Sequence, residues 1–143
     1  MKDIDLAKEL LEKEQLALAI VKEGKLIFSS RDRGIKPMYT AVSELKDELK
    51  GASVADRVIG KAAAMLCKYA CIKELYTKLV SENAVKVLQK TSIQFCYDET
   101  TPYIKNRDKT GMCPVETLSQ NVNNVDDLLE DISSFLKSIK VRN

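Results

Sequence analysis

The chain has 143 residues, 45% of them hydrophobic and 31% charged, which suits one globular domain large enough to bury a core. Its net charge is only +2, its acidic and basic residues interleave, and it has no Trp, so neither a phosphate-binding stripe nor a base-stacking platform for nucleic acid is expected. Histidine is absent, which removes the usual zinc ligand, the usual general base and the usual partner of a Ser or Cys nucleophile.

No apolar run reaches the length of a membrane span, and the acidic start Met1-Lys2-Asp3-Ile4-Asp5 has no signal-peptide core. The expected location is the cytoplasm, where thiols stay reduced. The four cysteines, Cys67, Cys71, Cys96 and Cys113, are then free thiols.

Residues 3–14 form an amphipathic helix in this reading, with Ile4, Ala7 and Leu11 on its apolar face, Leu6 and Leu10 beside them, and Asp3 as a cap. The continuous apolar run 16–21 predicts a buried strand. Glu23-Gly24 turns the chain, and residues 25–29 return as a hairpin partner. After a loop at 30–36, Pro37 starts a helix carrying Met38, Ala41, Val42, Leu45 and Leu49, which Gly51 stops. Residues 53–59 form a short strand. The next helix opens at Gly60-Lys61, and Ala62-Ala63-Ala64-Met65-Leu66-Cys67 is apolar nearly all round, so it should be buried. Residues 72–79 read as a strand, and Ser81 caps a helix through Leu88. Ile93, Phe95 and Tyr97 mark a last strand. From Asp98 to Asn124 the pattern breaks into a long loop with one helical turn after Pro114. Val125, Leu128, Leu129, Ile132, Leu136 and Ile139 then trace a C-terminal helix capped by Asn123 or Asn124. A hairpin followed by alternating helices and strands implies an α/β protein, a mixed sheet between helices, in a single domain over 1–143.

That element order resembles the cytidine deaminase-like fold. The resemblance implies a three-layer α-β-α sandwich with a five-stranded mixed sheet, helices on both faces and an extra C-terminal helix. Active deaminases hold zinc between two helix starts, one with a His- or Cys-x-Glu motif and one with Pro-Cys-x-x-Cys. The corresponding starts here, Gly34-Ile35-Lys36-Pro37-Met38 and Ile59-Gly60-Lys61-Ala62-Ala63-Ala64, contain neither motif. No deaminase site residue carries over, and a zinc-dependent deaminase is rejected. The stretches Val54–Ala64, Gly34–Pro37 and Thr110–Glu116 resemble a small bacterial and archaeal family of unknown function, placed in the deaminase-like fold without the zinc motifs. Fold alone implies no activity.

Gly60-Lys61 follows a strand and opens a helix, where free N–H groups and the positive dipole end favour an anion. Gly60, Lys61 and Ala62 are therefore ligand-binding candidates, unless Gly60 only permits a tight turn and Lys61 is solvated. Asp56 and Arg57 lie near the carboxyl end of the preceding strand, where open α/β sheets bind ligands. An ordinary surface ion pair is the bland alternative. Pro37 marks the other helix start. In the long loop, Arg107 and Glu116 would complete a pocket if the loop closed over Gly60-Lys61. Cys113, before a proline that starts a helical turn, is a candidate thiolate nucleophile, and Lys61 a candidate imine former. A half-buried structural thiol is the alternative for Cys113. The cysteine spacing matches no zinc site, so neither metal nor cofactor is expected.

Three functions compete. The first is zinc-independent binding, with or without turnover, of a small anionic, nucleotide-like metabolite between the starts at Pro37 and Lys61. The second is an enzyme dependent on Cys113 or Lys61. The third is a non-catalytic deaminase-like module that assembles with itself or a partner through helices 38–49 and 125–139. Neither nucleic acid nor membrane is expected as a partner.

Overall fold

A computed structural model describes residues 1–105 and 111–142. The elements are α1 (Asp3–Lys13), β1 (Leu18–Lys22), β2 (Lys25–Ser30), α2 (Lys36–Leu49), β3 (Ser53–Ile59), α3 (Lys61–Tyr69), β4 (Glu74–Ser81), α4 (Glu82–Gln89), β5 (Gln94–Thr101), α5 (Pro114–Ser119) and α6 (Val125–Arg142). They build one five-stranded sheet in the order β2-β1-β3-β4-β5. β1 is antiparallel to β2 and β3, whereas β3, β4 and β5 run parallel. Parallel neighbours need crossovers, and α3 and α4 supply them. Helices cover both faces, which is the architecture the deaminase resemblance implies. Among the described residues, no helix is long and apolar enough to cross a membrane.

Strand alternation divides the core in two. On one face Ala19, Val21, Ala55 and Tyr76 pack under α1 through Ile4, Ala7 and Leu11. On the other, Leu18, Ile20, Val54 and Leu75 meet α2, α3 and α4, with Leu128 and Ile132 of α6 packed against the same cluster. Ala62, Ala63 and Ala64 are all buried, and their small side chains let α3 lie close among α2, α4, α5 and α6. Each fully buried aliphatic side chain in this core contributes about 1.5–3 kcal/mol.

The turn at Glu23-Gly24 has φ of 51° and 77°, the left-handed pair that suits a two-residue hairpin. Asp3 does not cap α1, whose N-cap is Lys2 without a side-chain bond. Its carboxylate instead accepts from Glu23 N and Gly24 N, each at 2.9 Å, and so ties the hairpin tip to the helix start. Ser81 does cap α4, its Oγ accepting from Ala84 N at 3.1 Å. Asn124 rather than Asn123 caps α6, accepting from Asp127 N at 2.9 Å.

The expected loop from Asp98 is shorter than the sequence implies. β5 continues to Thr101, with Leu79, Val80 and Ser81 of β4 paired to Glu99, Thr100 and Thr101. As an edge strand exposed on most positions, it needs no apolar alternation, so its polar end is silent in the hydrophobic pattern. Between β5 and α6, a bridge from Lys105 to Met112 and the six-residue α5 order the described part of the chain.

Arg57 is the largest departure. Its guanidinium turns to the α1 face, donating from Nε to Leu16 O at 2.6 Å and from Nη2 to Leu11 O at 3.0 Å. It also pairs with Glu12 at 3.8 Å, and Lys78 binds the same carboxylate. Lys78 holds Glu12 below the usual carboxylate range. Arg57 therefore satisfies carbonyls at and beyond the end of α1. Arg57→Ala is expected to cost about 1–3 kcal/mol in urea unfolding, from two charge-assisted bonds. Arg57→Lys should recover only part, because one ammonium lacks the planar fork. An unchanged unfolding midpoint in Arg57→Ala would show that the two bonds contribute nothing net.

Candidate functional site

The end of β3 delivers Gly60 as the N-cap of α3 in an extended conformation, φ −99° and ψ −176°. The first turn of a helix leaves donors without intrahelical partners and carries positive potential. Here the chain fills that place itself. Glu116 is only 6% exposed. Its Oε1 accepts from Lys61 N at 3.0 Å and its Oε2 from Ile104 N at 2.7 Å. A Cβ on Gly60 would lie 2.5 Å from Glu116 Oε1, so glycine is required here by contact and not by φ.

Glu116 occupies the third position of α5, from which a glutamate often reaches back to its own N-cap. In this chain Cys113 N is already taken by Ile104 O at 2.8 Å, leaving the carboxylate to cross to α3. Lys61 Nζ completes the link by donating to Gln120 O at 3.0 Å, just past the end of α5, where a cation suits the dipole.

The remaining candidates do not converge on Gly60-Lys61. Pro37 is buried in the first turn of α2. Asp56 lies on the α3 side of β3 and accepts from Val58 N at 3.2 Å. Burial pushes its carboxyl up to about 7, against the opposing pull of the Val58 and Arg57 amides and the Arg57 charge. The Asp56 charge and, above all, burial raise the Cys67 thiol well above its ordinary value. Arg57 faces α1. Asp56 and Arg57 are consecutive on a strand, so they cannot share one site. Arg107 lies outside the described residues. Ala62 is buried. Cys113 is the half-buried N-cap of α5, its carbonyl accepting from Thr117 N and Oγ1, and no described residue bonds its Sγ.

Nor do the residues fit a zinc ion of the deaminase kind. Neither helix start supplies a donor set, and the carboxylate at α3 is committed to two amides. The cysteines are scattered, with Cys67 buried and Cys71 and Cys96 exposed. Among the described residues, no cluster of three Cys, Asp or Glu could hold a metal.

Beside Gly60-Lys61 runs a cleft of about 530 Å³ between α3, α4 and the segment joining α5 to α6. Lys61 and Lys68 line it from α3, Lys86 from α4 and Lys90 from the C-cap of α4, and among the described residues no acidic side chain lines it. The described ion pairs, Arg57–Glu12 and Lys78–Glu12, involve none of these lysines. Met65, Tyr69 and Val87 line the cleft from the two helices, and Val122 and Val125 from the α5–α6 side. Asn83, Gln120 and Asn123 add carboxamides. Sequence reasoning missed Lys68, Lys86 and Lys90. The available signal was spacing, since 61, 65 and 68 share one helical face, as do 83, 86, 87 and 90.

Gly60→Ala is expected to destabilise by about 1–3 kcal/mol through overpacking against Glu116. In a Glu116→Ala background the same change should cost far less, and a double-mutant cycle would read the coupling. Additive costs would show that the two residues do not press on one another. Asp56 gives a pH signature. A carboxyl raised to about 7 on folding leaves the native state holding more protons than the unfolded state between the ordinary value and 7. Its contribution is present at low pH and lost as pH rises through that window. Asp56→Asn should therefore gain stability relative to the parent as pH rises from the ordinary carboxyl value to about 7, in paired urea titrations. A pH-independent difference would place the carboxyl in water.

The chain matches the DUF1893 family, whose model is designated TM1506, over residues 6–136. The crystal structure of the Thermotoga maritima DUF1893 protein TM1506 is similar, with a TM-score of 0.85 at 30% identity, covering 94% of this chain and 90% of that one. The apo dCMP deaminase of cyanophage S-TIM5 gives a TM-score of 0.47 at 11% identity, covering 69% of this chain and 94% of that one. A structure from a study of A-to-I editing by tRNA:A34 deaminases gives 0.38 at 15% identity, covering 91% of this chain and 94% of that one. No curated protein matches. On the family match and the Thermotoga likeness, the chain belongs to DUF1893, a family of domains of unknown function.

Proposed function

We propose that this protein binds a small phosphate-bearing, nucleotide-like metabolite in the cleft between α3, α4 and the α5–α6 connection, without zinc. The observation that carries the reading is the set of four lysines lining one cleft that, among the described residues, no carboxylate lines. Cations gathered in this way repel one another, so the arrangement costs stability until an anion joins it. The volume falls within the ordinary range for small-molecule sites, and a lining in which lysines and carboxamides outnumber the apolar residues suits a charged, polar ligand. The binding place differs from the bare helix start that the sequence suggested. Glu116 already holds the Lys61 amide there, and the ligand is assigned instead to the flank of the same helix, where the Lys61 side chain still takes part.

The test is a thermal-shift series at fixed ionic strength with inorganic phosphate, AMP and unphosphorylated adenosine, each with zinc or with chelator. A ligand at one hundred times its Kd adds about 2.7 kcal/mol, roughly 5–10 °C for a domain of this size. AMP should raise Tm, adenosine should not, and zinc or chelator should change neither result. Lys86→Glu with Lys90→Glu should abolish the rise while, by relieving the repulsion among the lysines, holding the unliganded Tm at or above the parent value. Absence of a shift with every phosphate compound would overturn the proposal.

A further inference from the structure

Resting on that reading, we infer that the ligand is a nucleoside polyphosphate, its ring against the Tyr69 end of the cleft and its phosphate chain running along α3 toward Lys61. The lysines are strung out and not gathered at one point. Lys61 and Lys68 are seven residues apart on α3, about 10 Å along the axis at 1.5 Å per residue. Lys86 on α4 and Lys90 at its C-cap are four residues apart and line the same side of the cleft. β3, β4 and β5 are parallel, so the two crossover helices run in the same sense and their starts lie toward the same edge of the sheet. Lys61 thus marks one end of the groove, Lys68 and Lys90 the other, and Lys86 the middle.

A single phosphate can engage cations at one end only and leaves the rest uncompensated. A chain of two or three phosphates lies along the row and neutralises it. Apolar side chains line the same groove. Tyr69 closes α3 at the end away from Lys61, with Val122 and Val125 from the α5–α6 segment lining the same cleft. Asn123 brings a carboxamide from that segment, suited to the hydrogen-bonding edge of a heteroaromatic ring. Lys46 Nζ lies 4.2 Å from the Tyr69 ring centroid, holding the ring in place.

The experiment is isothermal titration of the full chain with AMP, ADP, ATP and inorganic tripolyphosphate at one ionic strength, repeated on Lys61→Ala and Lys90→Ala. Affinity should rise roughly tenfold for each added phosphate, as a charge-assisted bond contributes. ATP should bind more tightly than tripolyphosphate because of the ring. Lys61→Ala should weaken ATP and leave AMP near its parent affinity, whereas Lys90→Ala should weaken both. Equal affinities for AMP and ATP would overturn the polyphosphate inference and leave nucleotide binding standing. Tripolyphosphate binding as tightly as ATP would overturn the ring contact. Failure of every compound would remove the binding site itself.

Discussion

The carboxylate of Glu116 joins parts of the chain that sequence separation keeps far apart. It takes one donor from the start of α3 and one from the connection after β5. A buried carboxylate is stable only when its lone pairs are filled, and backbone amides at a helix start fill them without moving. A side chain at Gly60 would then crowd the carboxylate, because the oxygen sits 2.5 Å from where a Cβ would be. α5 is held against α3, and Gln120 O reaches Lys61 Nζ. The segment that leaves α5 for α6 becomes the far wall of the lysine cleft. Removing the carboxylate would therefore loosen the wall as well as the helix start.

The sheet separates two electrostatic regimes. On the α1 face, Arg57 and Lys78 converge on Glu12, and Arg57 also binds carbonyls around the end of the helix. Tyr76 adds a bond to Asp98 at 2.6 Å, and burial together with that carboxylate pushes its hydroxyl up to about 12. Charges on this face are spent on holding α1. On the α3–α4 side, Lys68, Lys86 and Lys90 line a cavity and enter none of the described ion pairs. The near-neutral net charge of the whole chain conceals this difference, since a sum says nothing of distribution.

Most elements up to Tyr97 were legible because each buries one face, and burial writes its period into the residue order. β5 beyond Tyr97 was not, because an edge strand exposed on most positions has no apolar period to show. Asp3 was placed at the correct helix end with the wrong role. An acidic residue before a helix and one that receives a hairpin turn look alike until the tip folds back upon it. The alternation rule alone would have separated Asp56 from Arg57, since neighbours on a strand face opposite ways. Glu116 was associated with Gly60-Lys61 as a pocket residue, but its function as the anion at the helix start depends on a contact across 55 positions. Lys68, Lys86 and Lys90 had the look of ordinary solvated lysines. Only the packing of α3 beside α4 turns two rows into one groove.

A helix start that points outward is an attractive place for any anion, and a fold that presents one must either use it or fill it. This chain fills it with a side chain of its own, so an incoming phosphate meets no free dipole end at the Lys61 amide. In the proposed reading, recognition falls to ammonium groups along the helix flank, which differ from backbone donors in one respect. Amides are fixed in direction and select a geometry, whereas lysine heads are mobile point charges that adapt to the anion they meet. A groove built this way discriminates by the amount and spacing of charge more than by the shape of a single phosphate. In that reading, selectivity for one metabolite over another would come from the apolar lining, from Tyr69, Val122 and Val125, where contact area and carboxamide placement can tell one ring from the next.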